Sequence, residues 1–257
     1  MRIGKRDLST FITRLLEPEN VEAMVRMLKV HRRPGLAVFR ELTSSGSYPA
    51  RWEIRTGLGP RTAHLFHLED FSTLNLIFCR RDYIVPADSE VVVDIGSNVG
   101  LSGLFWLTEA PRSTVYLFEP VPAHAERIKQ NLSGLEPRYV FSDLAISDFS
   151  GEVEFTLEPT GKLGGIGREG SSQIKVECRH VNEVLEPILA RHGAIDVLKV
   201  DVEGQEAAIL RAIPEEVWRK IRVLNVEDFG AAQHLPDFFR GDKRGSAMRF
   251  ENTVFGE

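Results

Sequence analysis

A chain of 257 residues, 42% of them hydrophobic, can bury one α/β core and carry an accessory segment. Its net charge of −5 argues against a general nucleic-acid binder, and its two cysteines, Cys79 and Cys178, supply neither a disulfide framework nor a paired-cysteine zinc pattern. No run approaches the roughly 18 apolar residues of a membrane span, and MRIGKRDLST lacks the apolar segment of a signal peptide, so a cytoplasmic location with reduced thiols is the expectation.

The charge is uneven, because residues 1–40 carry nine Lys and Arg against four Asp and Glu. A solvated helix face is the first reading of that excess, and a docking surface the second. Two helices are predicted in this region. One follows Ser9, with Phe11, Ile12, Leu15 and Leu16 on one side; the next begins near Asn20, a good cap, and sets Val21, Met24, Val25 and Leu28 on one stripe. Such a pair packs on its own domain, roofs an acceptor site or forms a homodimer contact. TSSGSYPA at 43–50 is the linker candidate, and RWEIR and AHLFHL flank the turn residues of TGLGPR as a hairpin. The division is therefore set at a helical and hairpin extension over 1–80 and an α/β domain over 81–257.

The run VVVDIGSNVG at 91–100 opens that domain. Val91, Val92 and Val93 form a short continuous apolar strand, as expected in a parallel sheet buried on both faces. Gly96 and Gly100 let the backbone turn and approach a ligand where a Cβ would collide. A helix from Leu101 follows. A dinucleotide fingerprint needs glycine at 96, 98 and 101, where the chain has Gly96, Asn98 and Leu101. Asp94-x-Gly96-x-Asn98-x-Gly100, with Ser97 between, instead resembles the first motif of class I S-adenosylmethionine-dependent methyltransferases. A second strand, VYLFEP, ends in Glu119 and Pro120, and an ionised carboxylate there can accept from both ribose hydroxyls. The third, YVFSDLAISD from Tyr139 to Asp148, sets Asp143 and Leu144 where such enzymes hold the adenine edge. Between EVEFTL and IKVECR, which alternate like strands, Gly165, Gly167 and Gly170 match the dinucleotide pattern only formally; a surface loop or lid fits better. IDVLKVDVEGQEAAIL at 195–210 then delivers Asp201 and Glu203 before a helix.

Taken in order, DIGSNVG, LFEP, LAISD and LKVDVEGQE resemble the FkbM family of methyltransferases, over a span of about Asp70 to Asp228. The resemblance implies a doubly wound, Rossmann-like class I methyltransferase sheet, S-adenosylmethionine as cofactor, and a small-molecule hydroxyl acceptor such as a sugar, polyol or polyketide. It implies cofactor contacts at Asp94, Gly96, Ser97, Asn98, Gly100, Glu119, Pro120, Asp143, Leu144 and Asp201. Two departures matter. NVEDFG has Glu227, Asp228 and Phe229 where many relatives carry a histidine, and CRHVNEVL has His180 in place of a small hydroxyl residue. His180 reads either as a catalytic partner of Asp201 or as a helix cap.

A neutral hydroxyl needs a base or a metal. Asp201, Glu227 and Asp228 form the candidate Mg²⁺ cluster; the competing reading makes Asp201 the base, with His180 or His234 approaching. An NAD-dependent oxidoreductase lacks the glycine at 98 and a Tyr-x-x-x-Lys pair, and a nucleic-acid amino-methyltransferase would carry two prolines after the fourth strand. A noncatalytic cofactor-binding subunit remains the other alternative. At the end of the chain, Phe250, Thr253 and Phe255 predict a last strand, with its hairpin partner trimmed.

Overall fold

A computed structural model describes residues 2–3, 6–7, 18–157, 165–167, 172–227 and 230–256. The chain divides into two compact units, Met1–Asp82 and Tyr83–Glu257. The predicted helix bearing Phe11, Ile12, Leu15 and Leu16 lies outside the described residues, as does Asp228. No described helix is long and apolar enough to cross a membrane.

The first unit opens with β1 (Arg2–Ile3) paired to β2 (Arg6–Asp7). It continues with α1 (Pro18–Val30), α2 (Pro34–Thr43), β3 (Ala50–Thr56), β4 (Gly59–Leu65) and α3 (Leu68–Asn75), which runs on into a π-helical turn over Leu76–Arg80. α1 starts two residues before the expected Asn20 cap, at a proline whose φ is already helical. Its apolar stripe forms but points outward: Val21 and Leu28 are 46% and 57% exposed, whereas Met27 is 4% exposed. The face turned to the Leu76–Arg80 segment is a different one, carrying Met27, with Arg26 reaching the Cys79 carbonyl. β3 and β4 form the expected hairpin with a tighter turn than TGLGPR suggested, because Pro60 and Arg61 join β4 opposite Arg55 and Ile54. Alternation sends Trp52, Ile54, Ala63 and Leu65 to the core.

The second unit is built on a seven-stranded sheet. Its parallel part runs β5 (Val91–Ile95), β6 (Thr114–Phe118), β7 (Tyr139–Ser142), β12 (Ile195–Val200) and β13 (Ile221–Val226), extended by an antiparallel hairpin of β14 (Phe239–Arg244) and β15 (Ala247–Asn252). The spatial order is β14-β15-β13-β12-β5-β6-β7. A smaller sheet, ordered β10-β9-β11-β8, contains β8 (Ala145–Ser147), β9 (Gly151–Leu157), β10 (Gly165–Ile166) and β11 (Ser172–His180).

Helices cover both faces, as the alternation of buried residues requires. Val91, Val93 and Ile95 join the cluster formed with α6 (Val181–His192), α7 (Glu206–Ala212) and α8 (Glu215–Trp218). Val92 and Asp94 point the other way, toward α4 (Leu101–Glu109), whose Trp106 donates to Asp94; α5 (Pro122–Asn131) follows β6. This is the doubly wound α/β sheet expected from the sequence.

Two details differ from expectation. The segment Tyr139–Asp148 splits between the two sheets at Asp143 and Leu144. The terminal hairpin is complete rather than trimmed: β14 reads FRGDKR, whose charges hide it from an apolar-pattern reading but suit a sheet edge, where they discourage pairing with another chain. The glycine-rich loop lies largely outside the described residues; Gly165 and Ile166 form a short strand against β9, and the two segments expected to be strands form β9 and β11, paired antiparallel.

Candidate active site

β5 is followed by strands added on one side, β6 and β7, whereas β12 lies on its other side. The crevice at the carboxyl ends of β5 and β12 is thus the switch point, where open α/β sheets bind their ligands. Gly96 sits there at φ +83°, and a Cβ on it would lie 1.8 Å from the Asp201 carbonyl oxygen. One close approach that demands glycine is therefore made by the chain itself, after β12. At Gly100, φ +84°, a Cβ would press on Ile128 of α5 at 3.2–3.3 Å.

Two buried glutamates fix the loops on either side of this crevice. Glu119, 6% exposed, accepts from the Asn98 amide at 2.9 Å through one oxygen, and through the other from the Val121 amide at 3.0 Å and His124 Nδ1 at 3.1 Å. Asn98 adopts φ +48°, a conformation that asparagine tolerates better than most residues. Ser97 closes the turn by donating from its hydroxyl to the Asp94 carbonyl at 3.0 Å, and Asn131 donates to the Val99 carbonyl at 2.8 Å. Glu206 does for the second loop what Glu119 does for the first, accepting from the Val202 amide at 2.9 Å and the Gly204 amide at 2.8 Å.

Across the sheet, in-register pairing lines up Asp94 of β5, Lys199 of β12 and Asn225 of β13. All three are buried. Lys199 Nζ lies 3.2 Å from Asp94 Oδ1 and 3.4 Å from Asp201 Oδ2, and donates to the Gly96 carbonyl. Burial alone would lower its pKa, but Asp94, Asp201 and Glu227 outweigh that cost and raise it, so Lys199 is a fixed ammonium. Asn225 acts as a substitute strand, accepting from the Ile84 amide at 2.8 Å and donating to the Ile84 carbonyl at 2.9 Å. That grip places the adjacent Tyr83, whose ring stacks on Trp106 with centroids 5.5 Å apart.

The Tyr83 hydroxyl donates to Glu227 Oε1 at 3.0 Å and stands 3.4 Å from Asp201 Oδ2. Burial, reinforced by Asp201, Glu227 and Asp94, holds the phenol well above its usual range, so it stays a donor. Glu227 keeps exposed surface as a residue, yet its Oε1 is turned in to Tyr83 and to the Ser246 hydroxyl at 3.2 Å. Desolvation of the carboxyl first, then repulsion from Asp201, raises its pKa to about 7 against the opposing pull of Tyr83, Lys199 and Ser246.

The structure thus brings Asp94, Gly96, Asp201 and Glu227 together, with Ser97, Asn98, Gly100, Glu119 and the buried Pro120 in the adjoining loop. Asp143 is exposed between β7 and β8, and Leu144 packs against the main core. His180 stands apart: it ends β11 and caps α6, its Nδ1 accepting from the Asn182 amide at 3.1 Å, and among the described residues it makes no hydrogen bond to Asp201. The cap alternative is the one its geometry matches. Among the described residues no three His, Cys, Asp or Glu side chains gather as a metal site; Asp201 and Glu227 share the Tyr83 hydroxyl, and Asp201 also pairs with Lys199. Asp228, the third residue of the predicted Mg²⁺ trio, lies outside the described residues. Lys199, Tyr83, Asn225, Trp106 and His124 were all missed in the sequence; the signal was a lysine and an asparagine inside otherwise apolar strands, LKV and LNV.

Residues 94–243 match the family described as Methyltransferase FkbM domain. Among curated proteins, the chain is 26% identical over 211 residues to the AMB antimetabolite synthetase AmbE of Pseudomonas aeruginosa, covering 64% of this chain but 10% of that protein. It is 27% identical over 185 residues to the 31-O-demethyl-FK506 methyltransferase FkbM of Streptomyces tacrolimicus, 59% of this chain and 71% of that one. To the hexuronic acid methyltransferase AglP of Haloferax volcanii it is 30% identical over 132 residues, 49% of this chain and 51% of that one. The match therefore covers about a tenth, seven tenths and half of the length of these three relatives. With more than half of its residues inside the matched domain, the chain belongs to the FkbM family of methyltransferases.

Proposed function

We propose that the second unit uses S-adenosylmethionine to methylate a hydroxyl oxygen of a small molecule. The observation that carries this reading is the charge at the switch point, where Asp94, Asp201 and Glu227 face a single buried ammonium, Lys199. The surplus of carboxylate suits a sulfonium cation and opposes the phosphates of a dinucleotide. The Streptomyces relative, named for an O-demethyl substrate, supports oxygen as the acceptor atom.

The loop from Gly96 to Gly100 and Glu119 would hold the cofactor's amino-acid and ribose parts, with Asp143 and Leu144 beside the adenine. Three of the roughly four acceptor sites on the Glu119 carboxylate are filled by Asn98, Val121 and His124, which leaves one for a ribose hydroxyl. When bound, the cofactor supplies an electrophilic methyl group. Glu227, ionised above about pH 7, takes the proton of the acceptor hydroxyl, while Tyr83 and Ser246 fix the orientation of its carboxylate. Lys199 compensates Asp94 and Asp201 and ties β12 to the glycine loop.

Calorimetric titration with S-adenosylhomocysteine, beside NADH, tests the reading on the wild type and on Glu119→Ala. The nucleoside alone should bind, and the substitution should weaken it by about 10- to 100-fold, the value of hydrogen bonds to a charged group and of the Asn98 clamp. Binding of NADH, or of neither ligand, overturns the proposal. Cofactor binding without transfer to any acceptor would mark a noncatalytic subunit.

A further inference from the structure

The first unit contains a cleft of about 330 Å³ lined by Arg32, Arg33, Arg40, Arg51, Leu36 and Trp52. Four arginines line it. The acid beside them, Glu53, is already paired with Arg32 at 2.8 Å. Among the described residues no carboxylate forms an ion pair with Arg33, Arg40 or Arg51, so the cleft is rich in positive charge.

Arg40 is built in rather than loosely solvated. Its guanidinium carbon lies 4.8 Å from the centroid of Trp52 and 5.9 Å from that of Tyr48. Trp52 is itself locked, buried and donating from Nε1 to His31 Nδ1 at 2.7 Å. Arg40 Nη1 is buried without a hydrogen-bond partner. A guanidinium nitrogen withdrawn from water without an acceptor is costly, and proteins that keep such a group ordinarily supply an anion for it. Stacking between rings also removes the rotamer entropy that a free arginine would lose on capturing a ligand.

We infer that this cleft binds a phosphoryl-bearing small molecule, with a diphosphate the best match to three guanidinium charges. The planar fork of arginine matches phosphate oxygens two at a time, which a carboxylate offers only once. Leu36 and Ala50, on the cleft wall, give the organic part of the ligand an apolar rest. The inference stands on the first unit alone and does not depend on the methyl-transfer chemistry.

The test titrates the full chain by calorimetry with inorganic pyrophosphate, inorganic phosphate and citrate at one fixed ionic strength. Pyrophosphate should bind with a stoichiometry of one and more tightly than phosphate or citrate. Arg33→Gln combined with Arg51→Gln, both exposed positions, should weaken it at least about tenfold. Arg40→Lys, which keeps the charge but loses the fork, should do the same and reports independently if the double variant misfolds. S-adenosylhomocysteine affinity should not change in any of these variants. Absence of saturable pyrophosphate binding, wild-type affinity in the variants, or citrate binding as tightly as pyrophosphate overturns the inference.

Discussion

Glu227 joins two properties rarely found on one carboxylate, since part of it stays open to solvent while its Oε1 is held by Tyr83 and Ser246 beside Asp201. Its pKa of about 7 places it near the working pH, where a base is abundant in its active form and still strong enough to accept a proton. The sign follows directly: raised above the ordinary carboxylate value, the group is protonated and idle below pH 7 and ionised above it. The rate of methyl transfer should therefore climb as pH rises from about 6 to 8. Glu227→Gln keeps the size of the side chain but cannot ionise, and should lower kcat by about 10²- to 10³-fold and abolish that climb. S-adenosylhomocysteine should bind the variant within about twofold of the wild type, because the Glu119 clamp is untouched. A variant whose kcat still rises through pH 7 would move the base elsewhere.

At the scale of elements, the site depends on two loops held at a distance that only one residue permits. Gly96→Ala puts a methyl group 1.8 Å from the Asp201 carbonyl and strains a φ of +83°, so β5 and β12 cannot keep their spacing at their carboxyl ends. The loss should exceed about 3 kcal/mol in urea denaturation, more than the 1–3 kcal/mol of a strained backbone alone. A variant within about 1 kcal/mol of the wild type would show that the neighbouring loop gives way freely. The strand, loop and helix from Val91 to Glu109 were legible in the sequence because their signal is local: a β-branched run, glycines, then apolar residues at helical spacing. The Asp94–Lys199–Asn225 row was not, because parallel strands bring into register residues that lie far apart along the chain. His180 stayed open between two readings for the opposite reason, since a lone histidine at a strand-helix junction looks the same whether it caps or catalyses. The charged edge strand β14 escaped notice because what makes it a good edge, its lack of apolar residues, also removes the pattern by which strands are recognised.

The molecule as a whole divides its stability between two units, and the first carries its own titration. His31, fully buried, accepts from Trp52 Nε1 at 2.7 Å through Nδ1, so its proton sits on Nε2 and is donated to Asn75 Oδ1 at 2.8 Å. Asn75 passes the chain on to Glu41 at 2.8 Å. Protonating Nδ1 would break the Trp52 bond and bury a charge, and burial accordingly lowers the pKa from 6.5 to about 4, despite the opposing Asn75 bond. The unfolded chain therefore binds more protons than the folded one between those values. The contribution of His31 to the first unit is complete above pH 6.5 and is lost as pH falls toward 4, up to about 3 kcal/mol at roughly 1.4 kcal/mol per pKa unit. Other groups titrate in the same range, so the comparison needs His31→Phe, which removes this titration while filling the site. Hydrogen exchange of amides in α1, β3 and β4, followed from pH 7 to 4.5, should show the wild type losing protection more steeply than the variant, by nearly one proton in slope. Parallel slopes would mean that the His31, Trp52 and Asn75 chain opens before it protonates, and that the first unit draws its acid sensitivity from its carboxylates instead.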